Sequence, residues 1–163
     1  MVTWITVLAY LLVRLWELTL ASKTPFMFQK DYLLRQIEQL SKAITRILNK
    51  KDEGDMEGAL EDLMHQYDQA IALNTDKLDR YTPEELIRWL EDEKGLSAQE
   101  LEALSRLVET EGMILEEQEE YEKAERRFEV VLALLQQAAA QDNATFSLER
   151  QQKIAMVRKK LGY

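Results

Sequence analysis

The chain has 163 residues, enough for one domain with a buried core, and it contains no cysteine, five glycines and two prolines. The lack of cysteine excludes disulfides and thiolate sites, and the scarcity of glycine and proline favours long helices. The net charge of −9 is concentrated in residues 84–129, with 16 acidic and 6 basic side chains, whereas residues 1–51 and 143–163 are basic. We therefore predict no nucleic-acid partner, and we expect the basic ends to meet the acidic centre within one chain or between copies.

The first segment, residues 2–20, is apolar on most sides of a helix apart from a narrow polar stripe. Arg14 and Glu17 interrupt the run of about 20 apolar residues that a membrane span needs, and the basic start of a signal peptide is missing. A helix buried against protein, contact with a membrane and a cleaved signal are the three competing interpretations. The candidate interaction residues of this segment are Trp4, Leu8, Leu11, Leu15 and Trp16.

Met27 is a second plausible start of translation. Residues 1–26 are then either an apolar N-terminal helix or an upstream extension, and residues 27–163 form a single helical domain. Thr24-Pro25 is typical of a helix start, and the pattern continues as a helix to about Lys50. Its apolar residues step by four and three from Leu33 through Ile37 to Ile47, which predicts a stripe that packs lengthwise against another helix.

Further helices follow in chain order, and their ends carry recognisable signals. We predict helices over Met56–Leu73, from Thr82 to Glu93, over Ala98–Glu117 and over Tyr121–Gln141, with a loose turn at 76–81 and a last helix capped by Thr145 or Ser147. Thr82-Pro83-Glu84-Glu85 and Ser97-Ala98-Gln99-Glu100 are capping boxes, in which a threonine or serine cap is matched by a glutamate three residues later. Gly95 is placed to end the helix before it.

Two helical hairpins emerge, at residues 28–73 and 98–141, and their second helices align at an offset of 65. In that alignment Ala59 matches Ala124, and Leu63 matches Phe128. The spacing is similar to the second half of a tetratricopeptide unit, although neither hairpin carries the complete tryptophan-containing pattern of the first half. We predict an all-α fold of two antiparallel hairpins with tetratricopeptide-like packing, a short connecting helix and a C-terminal helix.

The segment Asp31-Tyr32-Leu33-Leu34-Arg35-Gln36-Ile37-Glu38 resembles the opening of a domain-of-unknown-function family of small all-helical proteins from Gram-positive bacteria. The resemblance extends over roughly residues 27–160. It implies a bacterial host and a helical fold, and it carries no assigned activity.

The residues that catalysis and metal binding need are sparse. His65 is the single histidine, so a histidine-dependent triad and a two-histidine di-iron site both lack a partner. Residues 74–85 imitate part of a calcium loop, but Asp79 stands where the loop needs glycine. We predict no enzyme activity, no metal, no cofactor and no small-molecule substrate. Trp89 is interpreted either as a lid between the hairpins or as an anchor for a partner.

These patterns predict a non-catalytic helical module that binds another protein or copies of itself, located in the cytoplasm. The alternative is a factor held at the inner face of the membrane by residues 2–20. We further expect a homo-oligomer in which residues 2–20 contribute to the interface, because a helix that is apolar on most sides needs cover from protein or lipid.

Overall fold

The computed structural model describes residues 24–163 except 72, 74 and 143–146, and it is helical with no strand in that range. Its helices are α1 (Thr24–Asp52), α2 (Met56–Ile71), α3 (Thr75–Arg80), α4 (Pro83–Trp89), α5 (Ala98–Glu117), α6 (Tyr121–Gln141) and α7 (Leu148–Lys160). The predicted all-α class is confirmed. The bounds of α5 and α6 coincide with the predicted bounds, whereas α2 ends at Ile71 and not at Leu73.

The chain divides into two compact units, Met1–Gln36 and Ile37–Tyr163, with the division inside α1. In the described part of the first unit, Tyr32 and Leu34 are exposed, and Gln36 Nε2 donates a hydrogen bond to Tyr32 Oη (2.9 Å). The main core cluster of the described residues lies in the second unit.

Local signals set the helix ends in the second unit. Thr82 Oγ1 accepts a hydrogen bond from Glu85 N, and Glu85 Oε2 accepts one from Thr82 N, so this predicted capping box is present. The box at Ser97 and Glu100 is present as well. A π-helical turn, Leu90–Lys94, extends α4 and closes where Gly95 N donates to Leu90 O at 2.9 Å. Gly95 has a φ of +57°, a left-handed conformation that glycine adopts without a Cβ penalty.

The two hairpins turn in the same way at the predicted offset of 65. Gly54, with a φ of +84°, and Glu119, with a φ of +62°, occupy equivalent positions. Gly54 N donates to Lys51 O (2.9 Å), and Glu119 N donates to Glu116 O (3.0 Å). The next bond of each turn joins Asp55 N to Lys50 O and Glu120 N to Leu115 O, both at 2.9 Å. These bonds form the Schellman ending that is common to many helices, α7 at Gly162 among them, and in the two hairpins it falls at positions 65 residues apart.

The second hairpin forms the centre of the unit: α5 packs along α6, and α3, α4 and α7 also pack against α6, while α2 packs on α5. Gly112 makes close packing between α5 and α6 possible, because a Cβ at this position would lie 3.0 Å from Phe128 Cζ. The largest fully buried side chains are Tyr67, Ile47, Leu63, Leu73, Leu78, Leu86, Leu90, Leu101, Leu107, Ile114, Leu134 and Val108.

The first hairpin is antiparallel, as two contacts one helical turn apart show. Lys50 Nζ of α1 donates to Gly58 O of α2 at 3.4 Å, and Arg46 Nε donates to Asp62 Oδ2 at 3.2 Å, so residue numbers fall along α1 as they rise along α2. Lys50 Nζ also lies 2.9 Å from Asp62. The predicted lengthwise stripe is buried only in part: Ile47 is fully buried, whereas Ile37 is half-buried and lies outside the main core cluster. The reason is the direction in which the side chains point, because the core-facing side of α1 is marked by the buried Ala43 and Ile47, and Ile37 lies to one side of it.

Candidate functional site

A buried polar network joins α2, α5 and α6. The carboxylate of Glu111 accepts a hydrogen bond from the hydroxyl of Tyr67 (2.8 Å) and forms an ion pair with Arg127 Nε at 2.8 Å. The side chains of Glu111 and Arg127 are 7% and 3% exposed. The Nε–H of Arg127 is not aimed at the carboxylate oxygen, so this contact is an ion pair and not an aligned hydrogen bond.

The same arginine ties α3 to the bundle. Arg127 Nη1 donates to Leu78 O at 3.3 Å, and Arg127 Nη2 donates to Asp79 Oδ1 at 2.8 Å. Arg126 Nη2 donates to Asp79 O at 2.6 Å. These bonds hold the short helix in place while Leu78 enters the core.

Burial and charge act in opposite directions on this network. Burial by itself lowers the pKa of Arg127, but Glu111 and Asp79 outweigh it, and the pKa is raised above its usual value. Burial, followed by the charge of Glu111, raises the pKa of Tyr67 well above its ordinary value. At neutral pH the network therefore consists of a neutral phenol and a charged arginine, packed among apolar side chains and bonded to one another. The network holds α2, α3, α5 and α6 in one fixed register.

A second set of charges links α5 to α7. Lys153 Nζ lies 2.7 Å from Glu109, and Lys160 Nζ lies 2.7 Å from Glu116. The most buried member, Arg150, pairs with Glu102 and, at 3.1 Å, with Asp142. Arg106 and Glu149 add a longer contact of 3.7 Å. For the basic C-terminal end, the expected meeting with the acidic centre is present within the chain, where the C-terminal helix neutralises part of α5.

Of the predicted interaction residues, only Trp89 belongs to the described part. It is half-buried against the core, and the Nζ atoms of Lys77 and Lys94 lie 3.6 and 5.3 Å from its ring centroid. Lysine stacking of this kind covers an aromatic face, which supports a structural role at the contact of α3 with α4. Trp4, Leu8, Leu11, Leu15 and Trp16 lie outside the described residues.

The structure also locates the residues that were weighed from the sequence as catalytic or metal-binding candidates. His65 is exposed on α2. The segment that imitates a calcium loop contains α3 and the start of α4, and Glu85 is engaged in its capping box. Among the described residues there is no group of three or more side chains suited to holding a metal ion. Within the same residues, no helix combines the length and apolar content needed to cross a membrane.

Sequence reasoning missed the Glu111–Arg127 pair. A usable signal existed, because Glu111 falls between Val108 and Leu115 on a core-facing stripe of α5. A charge at a core position requires a partner from another helix, and that partner cannot be identified from spacing alone.

Comparison with protein-family models, curated proteins and solved structures finds no match to this chain.

Proposed function

We propose that this protein is a non-catalytic helical scaffold that binds protein chains, its own copies among them. The observation that carries the proposal is the pair of helical hairpins, in which the turns and the aligned second helices both fall at an offset of 65. Helical-pair repeats bury a core between neighbours and leave extended helix faces for partners.

The packing of the second hairpin supports a tetratricopeptide-like unit. The tetratricopeptide pattern has a glycine in its first helix and Ala-x-x-x-Phe in its second. Gly112, Ala124 and Phe128 follow that order, and the missing side chain of Gly112 is what admits the ring of Phe128. The resemblance of residues 31–38 to a Gram-positive family agrees with this proposal, and we place the protein in the bacterial cytoplasm.

The distribution of polar groups also supports a structural role. The buried charged side chains of the described residues are Glu111, Arg127 and Arg150, and each of them forms an ion pair with another helix. Several large apolar side chains are instead exposed, among them Met64, Met113 and Met156. Flexible methionine side chains adapt to partner surfaces.

The test compares the full chain with a version that starts at Met27, by light scattering in buffer and by flotation with liposomes. A scaffold gives a mass above that of the monomer without lipid, and neither version floats. If the full chain is monomeric in buffer and it alone floats with liposomes, the scaffold proposal is wrong and the membrane-anchored alternative takes its place.

A further inference from the structure

The last helix, α7, exposes apolar and basic side chains on the side opposite the core. Its core-facing side is marked by the buried Ile154 and Val157. The opposite side consists of five exposed residues, which we call the α7 face: Leu148, Gln152, Ala155, Met156 and Lys159. Leu148 and Met156 are each more than half exposed. Because a terminal helix of a helical-pair repeat needs a polar outer side for solubility, these apolar side chains indicate a partner for the α7 face.

An exposed side of α2 has the complementary charge. It consists of four residues, which we call the α2 face: Glu57, Glu61, Met64 and Asp68. Met64 is more than half exposed and lies between carboxylates on the same stripe. The core-facing side of this helix is marked instead by the fully buried Leu63 and Tyr67. The α2 face is therefore an acidic surface with one large apolar side chain in it.

The charges of both faces are uncompensated within the described part of the chain. There, no ion pair or side-chain hydrogen bond engages the charged members, which are Lys159, Glu57, Glu61 and Asp68. The flank of α7 differs, since Lys153 and Lys160 pair with carboxylates of α5. The helix dipole favours a cation in the last turn, but it gives no reason for Leu148 and Met156 to share that side of α7.

We propose that the α7 face of one copy binds the α2 face of a second copy, which specifies the self-association on which the proposed function rests. The two faces match in length and spacing, because residues 148, 152, 155 and 159 and residues 57, 61, 64 and 68 both step by four, three and four. Laid side by side in the same direction, they place Asp68 opposite Lys159 and Met64 beside Met156. Opposite charges and apolar side chains then meet along one seam.

The two faces are different surfaces, so the contact between copies is heterologous. Each copy in a pair keeps one α7 face or one α2 face free for a further copy. Association therefore continues beyond the dimer as the protein concentration rises, unless the copies close into a ring.

Charge-reversal variants of the full chain test the pairing. Lys159→Glu makes the α7 face acidic, and Glu61→Lys/Asp68→Lys makes the α2 face basic. Each variant alone then brings like charges together, whereas a mixture of the two variants pairs opposite charges. The matched controls are Arg88→Glu on α4 and Glu122→Lys/Glu125→Lys on α6, at exposed positions that form no ion pair among the described residues.

Sedimentation equilibrium measures the average mass of each sample over a range of concentrations. We expect the controls to behave as the wild type, each face variant alone to need at least about tenfold more protein for the same average mass, and the mixture to regain the wild-type behaviour. Circular dichroism spectra establish that a lower mass does not reflect unfolding.

Three results would overturn the proposal, and they are distinguishable. An associating wild type with face variants that behave as the controls would leave self-association through another surface. A loss of mass in the face variants without recovery in their mixture would exclude direct pairing of the two faces. A wild type that is monomeric at every concentration would overturn the proposed self-association as well, and would leave the α7 face to a different partner.

Discussion

The buried ion pair of Glu111 and Arg127 gives the most quantitative prediction. Replacing Arg127 with methionine leaves the Glu111 carboxylate, 7% exposed, with the Tyr67 hydroxyl as its remaining described partner. Removing one partner of a buried ion pair lowers the free energy of unfolding by about 3–5 kcal/mol, and we expect the upper end of that range for Arg127→Met. Glu111→Leu is expected near the lower end, because Arg127 keeps the carboxylate of Asp79, which is 50% exposed and solvated.

The double variant Glu111→Leu/Arg127→Met removes both charges and fills the same volume with apolar atoms. It is expected to be more stable than either single variant, since the uncompensated charge is gone. Urea unfolding followed by circular dichroism measures all four free energies of unfolding. The exposed pair of Lys123 and Glu120 is the matched control, for which we expect no measurable coupling. If the losses of the two single variants simply add in the double variant, the two side chains are not coupled and the network does not hold the helices.

Three further outcomes follow from single contacts. Gly112→Ala is expected to lower the free energy of unfolding by about 1 kcal/mol, since crowding against Phe128 outweighs the gain in helix propensity. In a Phe128→Leu background the same substitution is expected to raise the free energy of unfolding, and a gain in both backgrounds would contradict the close contact. Because the pKa of Tyr67 is raised in the folded state, the contribution of Tyr67 to the free energy of unfolding is complete below the ordinary tyrosine pKa of 10.0 and is lost as pH rises above that value. Tyr67→Phe should therefore flatten the decline of the melting temperature at alkaline pH. An unchanged decline would exclude ionisation of Tyr67 as its cause. Arg150→Met, which removes the buried partner of two carboxylates, should lower the free energy of unfolding by about 1–3 kcal/mol. Lys153→Met, at the more exposed pair with Glu109, should lower it by less than about 1 kcal/mol. Equal losses would argue against burial as the deciding factor.

Features that depend on a few neighbouring residues were predictable from the sequence. The capping boxes at Thr82 and Ser97 are present because each requires only a side chain and a backbone amide three residues apart. The left-handed Gly95 follows from local geometry in the same way. The offset of 65 was visible in the second helices, and it proved to include the turns because both turns close with the same backbone bonds.

Features that depend on which helices meet were not predictable. The stripe from Leu33 to Ile47 indicated packing along its whole length, but the core-facing side of α1 is the side of Ala43 and Ile47, and Ile37, which lies to one side of it, stays half-buried. Replacing Ile37 with aspartate is therefore expected to destabilise the fold less than replacing the fully buried Ile47. The pairing of Glu111 with Arg127 likewise depends on the register between α5 and α6, which no local pattern encodes.

The central claim is that this helical scaffold associates with its own copies. Sedimentation equilibrium measures that claim directly, with the full chain and the version that starts at Met27 compared over a range of concentrations. We predict a mass above that of the monomer for the full chain, and a lower mass for the shorter version, which lacks the residues 2–20 expected at the interface. A full chain that sediments as a monomer at every concentration would contradict the claim.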